Sequence, residues 1–111
     1  MTDTYGRLAA LRPADTAEVQ LYAAGSDEQV QGIVSVCNQS SDTVQYSIAH
    51  CAAEHGDNAA LSADWRNFDV NLEPNEPPHE VSIVLGESET IRVKPSAADS
   101  ISFIFAGMKM L

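Results

Sequence analysis

Basic residues are scarce in this chain. Six lysines and arginines stand against sixteen aspartates and glutamates, a formal charge of −10 at pH 7. Such a surface repels phosphate backbones and anionic headgroups over a Debye length of about 8 Å at physiological salt, so neither nucleic acid nor a membrane is an expected partner. Long apolar runs are missing as well. No 18-residue hydrophobic stretch occurs, and the first 13 residues carry two arginines and an aspartate where a secretory leader would be apolar. A soluble chain made in the cytoplasm is therefore expected. The motifs of common chemistry are also lacking: there is no Gly-rich phosphate loop, no HExxH, no GxSxG and no CxxC. Asp57, Asp64 and Asp69 lack the spacing of a calcium loop and read as loop and strand acids. No cofactor and no metal is expected, and the chain reads as a non-enzyme.

What remains is strand-like. With 111 residues and 44% hydrophobic content, residues 1–111 form one domain with a modest core. Both cysteines fall in IVSVCNQSSDTVQYSIAHC (33–51), where Val34, Val36, Val44, Tyr46 and Ile48 occupy alternate positions. The intervening NQSSD is rich in turn formers, and the segment reads as a hairpin with Val36 across from Tyr46 and Val34 across from Ile48. In that register Cys37 faces Gln45 and Cys51 faces Gln31, about 20 Å apart at roughly 3.3 Å per residue. A disulfide needs Cα atoms within about 7 Å, so two reduced thiols are expected. A metal set of His50, Cys51 and His55 fails because His50 and Cys51 point to opposite faces of a continuing strand, while His79 sits in a proline-rich loop.

The rest of the chain repeats the pattern. Residues 16–24 read as a strand with Val19 and Leu21 on one face, closed by a turn at GSDE. LSADWRNFDVNL alternates through Phe68, Val70 and Leu72 and stops at EPNEPPHE, whose prolines forbid an internal strand. HEVSIVL alternates through Val81, Ile83 and Leu85, turns at Gly86-Glu87-Ser88 and continues into TIRV. Seven or eight strands at this spacing, with no convincing amphipathic helix, indicate an all-β antiparallel sandwich or jelly roll. Val34, Val36, Tyr46, Ile48, Phe68, Val70, Ile83 and Phe103 are its expected core.

The last strand, SISFIFAGMKML, is loaded on both faces. Ile101, Phe103 and Phe105 form one, and Ile104, Met108, Met110 and Leu111 supply a second apolar stripe. Either this strand lies mid-sheet under a loop, or the stripe is a subunit interface. Residues 1–13, with Tyr5, Leu8 and Leu11, form a second candidate contact as a docking arm or as an edge strand. A closed ring of two or three copies would cover such a stripe. Tyr22 and Trp65 are the aromatics available for a sugar-stacking platform, although a lone tryptophan in a strand is more often core or interface.

Several stretches resemble a family of small structural proteins of tailed bacteriophages. They are YGRLAALRPAD, VQLYAAG, IVSVCNQSS, YSIAHCA, ADWRNFDVNLEP and the closing HEVSIVLGESETIRVKPSAADSISFIFAGMKM. The resemblance runs in order over nearly the whole chain. It implies a β-sandwich without enzymatic activity, carried on the virion as a capsid decoration or cement protein or as a tail or baseplate component. A major virion protein, and a second or third copy of the chain, are then the expected partners. The alternative is a carbohydrate-binding module used in host recognition. AAEHGDN and PNEPPHE depart from the family pattern, and loops of this kind decide which neighbour is touched.

Overall fold

The computed structural model describes residues 4–53, 60 and 62–110, the side chains of residues 4, 5 and 62 apart. Eight strands follow one another: β1 (Thr4–Leu11), β2 (Val19–Ala23), β3 (Gln29–Asn38), β4 (Val44–Cys51), β5 (Trp65–Leu72), β6 (His79–Leu85), β7 (Thr90–Pro95) and β8 (Ile101–Met110). A single turn of 3-10 helix at Ser62–Asp64 leads into β5. Turn formers and prolines separate the strands, and period-two alternation gives each strand a face to bury.

The strands form two four-stranded antiparallel sheets, a first sheet ordered β1-β8-β3-β6 and a second ordered β2-β7-β4-β5. Strand pairs 1 with 8, 2 with 7, 3 with 6 and 4 with 5 are all present. The chain is thus one long folded-back hairpin rolled around its own core, and pairs 3 with 8 and 4 with 7 close the two sheets. This is the connectivity of a jelly roll. Of the expected arm, residues 1–13, the part from Thr4 to Leu11 does not project, because β1 is laid along β8 as an edge strand; residues 1–3 lie outside the described residues.

The expected hairpin between β3 and β4 does not form. β3 pairs with β6 and β8, whereas β4 pairs with β5 and β7 in the opposite sheet. Residues 39–43 are an arch that carries the chain from one sheet to the other. Asn38 holds it: Nδ2 donates to Asp42 O at 2.7 Å and Leu72 O at 3.0 Å, and Oδ1 accepts from Ser40 N–H at 2.8 Å. Val34, Val36, Val44, Tyr46 and Ile48 are all buried, facing one another across the sandwich instead of along a ladder.

Phe103, Phe105, Ile48, Leu72, Ile83, Leu85, Ile91 and Ile101 fill the space between the sheets. Val70 is half-buried at the margin of this cluster. Phe68 is not core, for 60% of it is exposed. The register of β4 on β5 slips between Tyr46 and Ile48 and again between Ile48 and Ala49. Asp69 sits in the first of these bulges at φ 49°, its N–H donating to Ser47 Oγ at 2.9 Å. One extra residue reverses the in-out phase of the strand, which turns Phe68 outward. Phe103→Ala should accordingly cost about 3–5 kcal/mol of unfolding free energy. Phe68→Ala should stay within about 0.5 kcal/mol in dilute solution, read by urea denaturation.

Candidate functional site

The two outer faces of the sandwich differ in chemistry. On the first sheet, cross-strand pairing sets Gln29 beside Met110, Gln31 beside Met108, Ile33 beside Ala106, Ser35 beside Ile104 and Cys37 beside Ser102. β6 extends the face with Glu80, Ser82 and Val84, and β1 with Arg7 and Ala10. Ile33 (41%), Val84 (64%) and Ile104 (37%) are three of the four exposed large hydrophobics among the described residues. Met108 and Met110 are half-buried beside them. Glu80 is the one acidic side chain placed on this face among the described residues, in a chain with sixteen acids.

An open trough crosses this face, and main chain forms its floor. Gly6, Gly107 and Gly32 lie side by side on β1, β8 and β3, with Ile33, Val84 and Met108 as walls. A Cβ on Gly107 would stand 2.2 Å from Gln31 O, and one on Gly32 would stand 2.3 Å from Ala106 O. Both collisions are with main chain, so β3 and β8 keep this close approach only with glycine at the two positions.

The outer face of the second sheet is polar apart from Phe68, which stands outward at the β5 edge. Arg92 pairs with Glu18, whose carboxylate also accepts from Ala60 N–H at 2.9 Å, and Gln45 Nε2 donates to Asn71 Oδ1 at 2.9 Å. Cys51 lies on this side, buried. Burial pushes its thiol above the usual range, with Thr90 and Arg92 pulling the other way. Thr90 Oγ1 is buried beside it without a partner of full hydrogen-bond geometry among the described residues. A thiol with a raised pKa is a poor nucleophile.

The loop ends are tied by charge. Gly25-Ser-Asp-Glu28 and Gly86-Glu-Ser-Glu89 are twin turns in which the fourth residue's Oε1 accepts from the glycine N–H, at 2.6 and 2.7 Å. Ser88 N–H donates to Gly25 O at 3.1 Å and locks the turns together. Glu28 reaches Lys109 Nζ at 2.9 Å, which pins the end of β8 with Met108 and Met110 turned to the outer face. Lys109 and the Gly25 N–H hold the Glu28 carboxyl below its usual range. Burial works to raise Glu89, but the Gly86 N–H and His50 Nε2, at 2.9 Å, outweigh it and hold it low.

At the opposite end, Glu76 Oε1 lies 2.9 Å from His79 Nε2, and His79 Nδ1 lies 2.9 Å from Tyr46 Oη. An ionised Glu76 only accepts, so Nε2 carries the proton, and the Nδ1 of the neutral ring accepts from the Tyr46 hydroxyl. Burial, reinforced by Glu76, raises the Tyr46 pKa and keeps the phenol a donor. The chain of contacts ties β4 of one sheet to β6 of the other.

The structure sorts the residues singled out from sequence. Ile104, Met108 and Met110 share the outer face of the first sheet. Leu8 and Leu11 are half-buried, packed against the margin of the core. Tyr5 is placed opposite Met108 by register, with its side chain outside the described residues, as are Leu111, His55 and Asp57. Tyr22 and Trp65 form no platform: they belong to β2 and β5, opposite edges of the second sheet. Tyr22 tilts against Phe105 at 5.4 Å, and Trp65 meets Phe68 edge-on at 5.7 Å. Ile33 and Val84 escaped attention. Their signal was present, as apolar residues in the polar phase of GIVSV and HEVSIVL.

Two outcomes follow from this geometry. Cys37 and Cys51 lie on opposite outer faces of sheets about 10 Å apart, beyond disulfide reach, so mass spectrometry of the alkylated, non-reduced protein should find no Cys37–Cys51 peptide. The stabilisation from Glu28 and Glu89 should be complete above their ordinary value of 4.5 and fade as pH falls through their lowered values. Glu89→Gln should melt below the parent at pH 7, with the gap closing in acid. No family model matches the chain, and comparison with curated proteins and with solved structures yields no match.

Proposed function

We propose that this chain is a non-enzymatic structural protein of a bacteriophage virion, seated on the assembled particle as a capsid decoration or cement protein or as a tail or baseplate accessory. The observation that carries the reading is the contrast between the two outer faces: one polar apart from Phe68, the other carrying an apolar stripe and nearly free of acid on a strongly acidic chain. A contiguous apolar face on a soluble domain marks a docking surface. Keeping acids off it removes the charge repulsion that would oppose close approach to another protein. The bacteriophage assignment rests on the resemblance of the strand stretches described above, with which a jelly roll is compatible. The side chains with chemical potential serve as structural ties: His79 joins the sheets, His50 braces a turn and Cys51 is buried. The carbohydrate-binding reading receives no support from Tyr22 and Trp65, which sit apart.

The docking face is tested at β8, mid-sheet and away from either edge. Ile104→Glu with Met108→Glu adds two charges to the apolar stripe without touching the core. The doubly substituted chain should keep its far-ultraviolet spectrum and its melting transition, yet be lost from virions assembled in its presence. A variant that folds and still enters particles at the parental level would overturn the reading.

A further inference from the structure

We propose that two copies of this chain associate through the free edge of β6, antiparallel, so that their first sheets join into one continuous eight-stranded sheet. This goes beyond docking on a particle and does not depend on it.

The four edge strands are not alike. β1 slips register between Arg7 and Ala9, β2 between Gln20 and Tyr22, and β5 twice. Bulges of this kind blunt an edge against further pairing. β6 alone pairs with its neighbour without a slip, from Val30 opposite Leu85 to Val36 opposite His79. It contains neither lysine nor proline. The edge-facing N–H and C=O groups belong to Glu80, Ser82 and Val84, since residues of an antiparallel strand bond alternately to the two sides. Ser82 O takes Arg66 Nη1 at 2.8 Å, which shows that it faces away from β3. That guanidinium is an exposed cap on a single carbonyl, leaving the remaining groups of the edge for a strand.

A second observation is independent of the backbone. Val84 (64%) and Phe68 (60%) are the two most exposed large hydrophobics among the described residues, and both lie on the side of the sandwich formed by β5 and β6. Val84 faces out from the first sheet and Phe68 out from the second, so edge-to-edge association sets Val84 beside the other copy's Glu80 and leaves Phe68 on the neighbouring edge.

The order of side chains along β6 fits a second copy of the same strand. Pairing about a two-fold axis at Ser82 sets Ser82 against Ser82 and each Glu80 against the other copy's Val84. The two Glu80 carboxylates then stand about 13 Å apart along the strands, beyond the Debye length of about 8 Å. Among the side chains of β6 itself no like charges are opposed, although the chain carries −10, and the Arg66 guanidinium of each copy must leave Ser82 O for the pair to close at the axis. About six main-chain hydrogen bonds form once both Arg66 caps are displaced, about four while they stay, and the symmetry is closed.

Sedimentation equilibrium of the full chain, with hydrogen exchange at high and low protein concentration, tests the proposal. The parent should dimerise, and the Glu80, Ser82 and Val84 amides should become protected only as the dimer fills. Ser82→Pro removes an N–H that makes no bond to β3 and should raise the dimer dissociation constant by about tenfold or more with the fold retained. Should that variant unfold, Val84→Lys reads the same edge. Arg66→Ala removes the cap and should tighten the dimer. A parent that stays monomeric, or a dimer that a folded Ser82→Pro or Val84→Lys variant leaves intact, would overturn the β6 seam. Ile104→Glu with Met108→Glu should leave dimerisation unchanged, which separates this seam from the docking face.

Discussion

The carboxamide of Asn38 spends its Nδ2 group on two carbonyls, Asp42 O and Leu72 O, and its Oδ1 on the N–H and hydroxyl of Ser40. Those bonds satisfy the polar groups of an arch that has left both sheets, where unpaired main chain would be costly. With the arch held, β3 and β4 face each other across the core, and the chain is committed to rolling instead of meandering. The remaining pairs follow: β5 folds back on β4, β6 on β3, β7 on β2 and β8 on β1. Asn38 also touches the end of β5 through Leu72, so the clamp sets where the second sheet stops.

The division of labour between the outer faces builds on that roll. Inward positions are apolar in both sheets, so the alternate positions decide what the molecule shows to its surroundings. On the second sheet these positions, Phe68 apart, are filled by hydrogen-bonded polar groups and by the Glu18–Arg92 pair. On the first they are filled by Ile33, Val84, Ile104 and the methionines over a floor of glycines. The ties at Glu28–Lys109 and Glu89–His50 stand at the rim and keep the methionine end of β8 in place. Apolar burial drives contact on such a face at roughly 25 cal/mol per Å², with little dependence on salt.

How far this was legible in the sequence depends on the element. Alternation reported which side chains point inward, and for Val34, Tyr46, Ile48, Ile83 and Phe103 it reported correctly. It could not report pairing, because a hairpin and an arch impose the same period-two pattern on the segment between Ile33 and Cys51. Phe68 failed for another reason. Its phase is inverted by a bulge at Asp69, and aspartate is one of the few non-glycine residues that accept positive φ without leaving a distinctive mark. The apolar stripe of Ile104, Met108 and Met110 was legible because two apolar phases overlap in one strand. The unlike character of the four sheet edges was not legible, since bulges are set by tertiary packing.

The position of β8 has a consequence for synthesis. It lies between β1 and β3, so the first sheet has no middle until residues 101–110 have left the ribosome. Until then β1 has no partner in its sheet, and Val30, Val34 and Val36 of β3 lack the cover of Phe103 and Phe105. Pairs as distant as Thr4 with Lys109 must then form at the cost of closing nearly the whole chain into a loop. Such a topology folds slowly, with apolar strands exposed in the interval. The net charge of −10 opposes the approach of one partly folded copy to another in that interval.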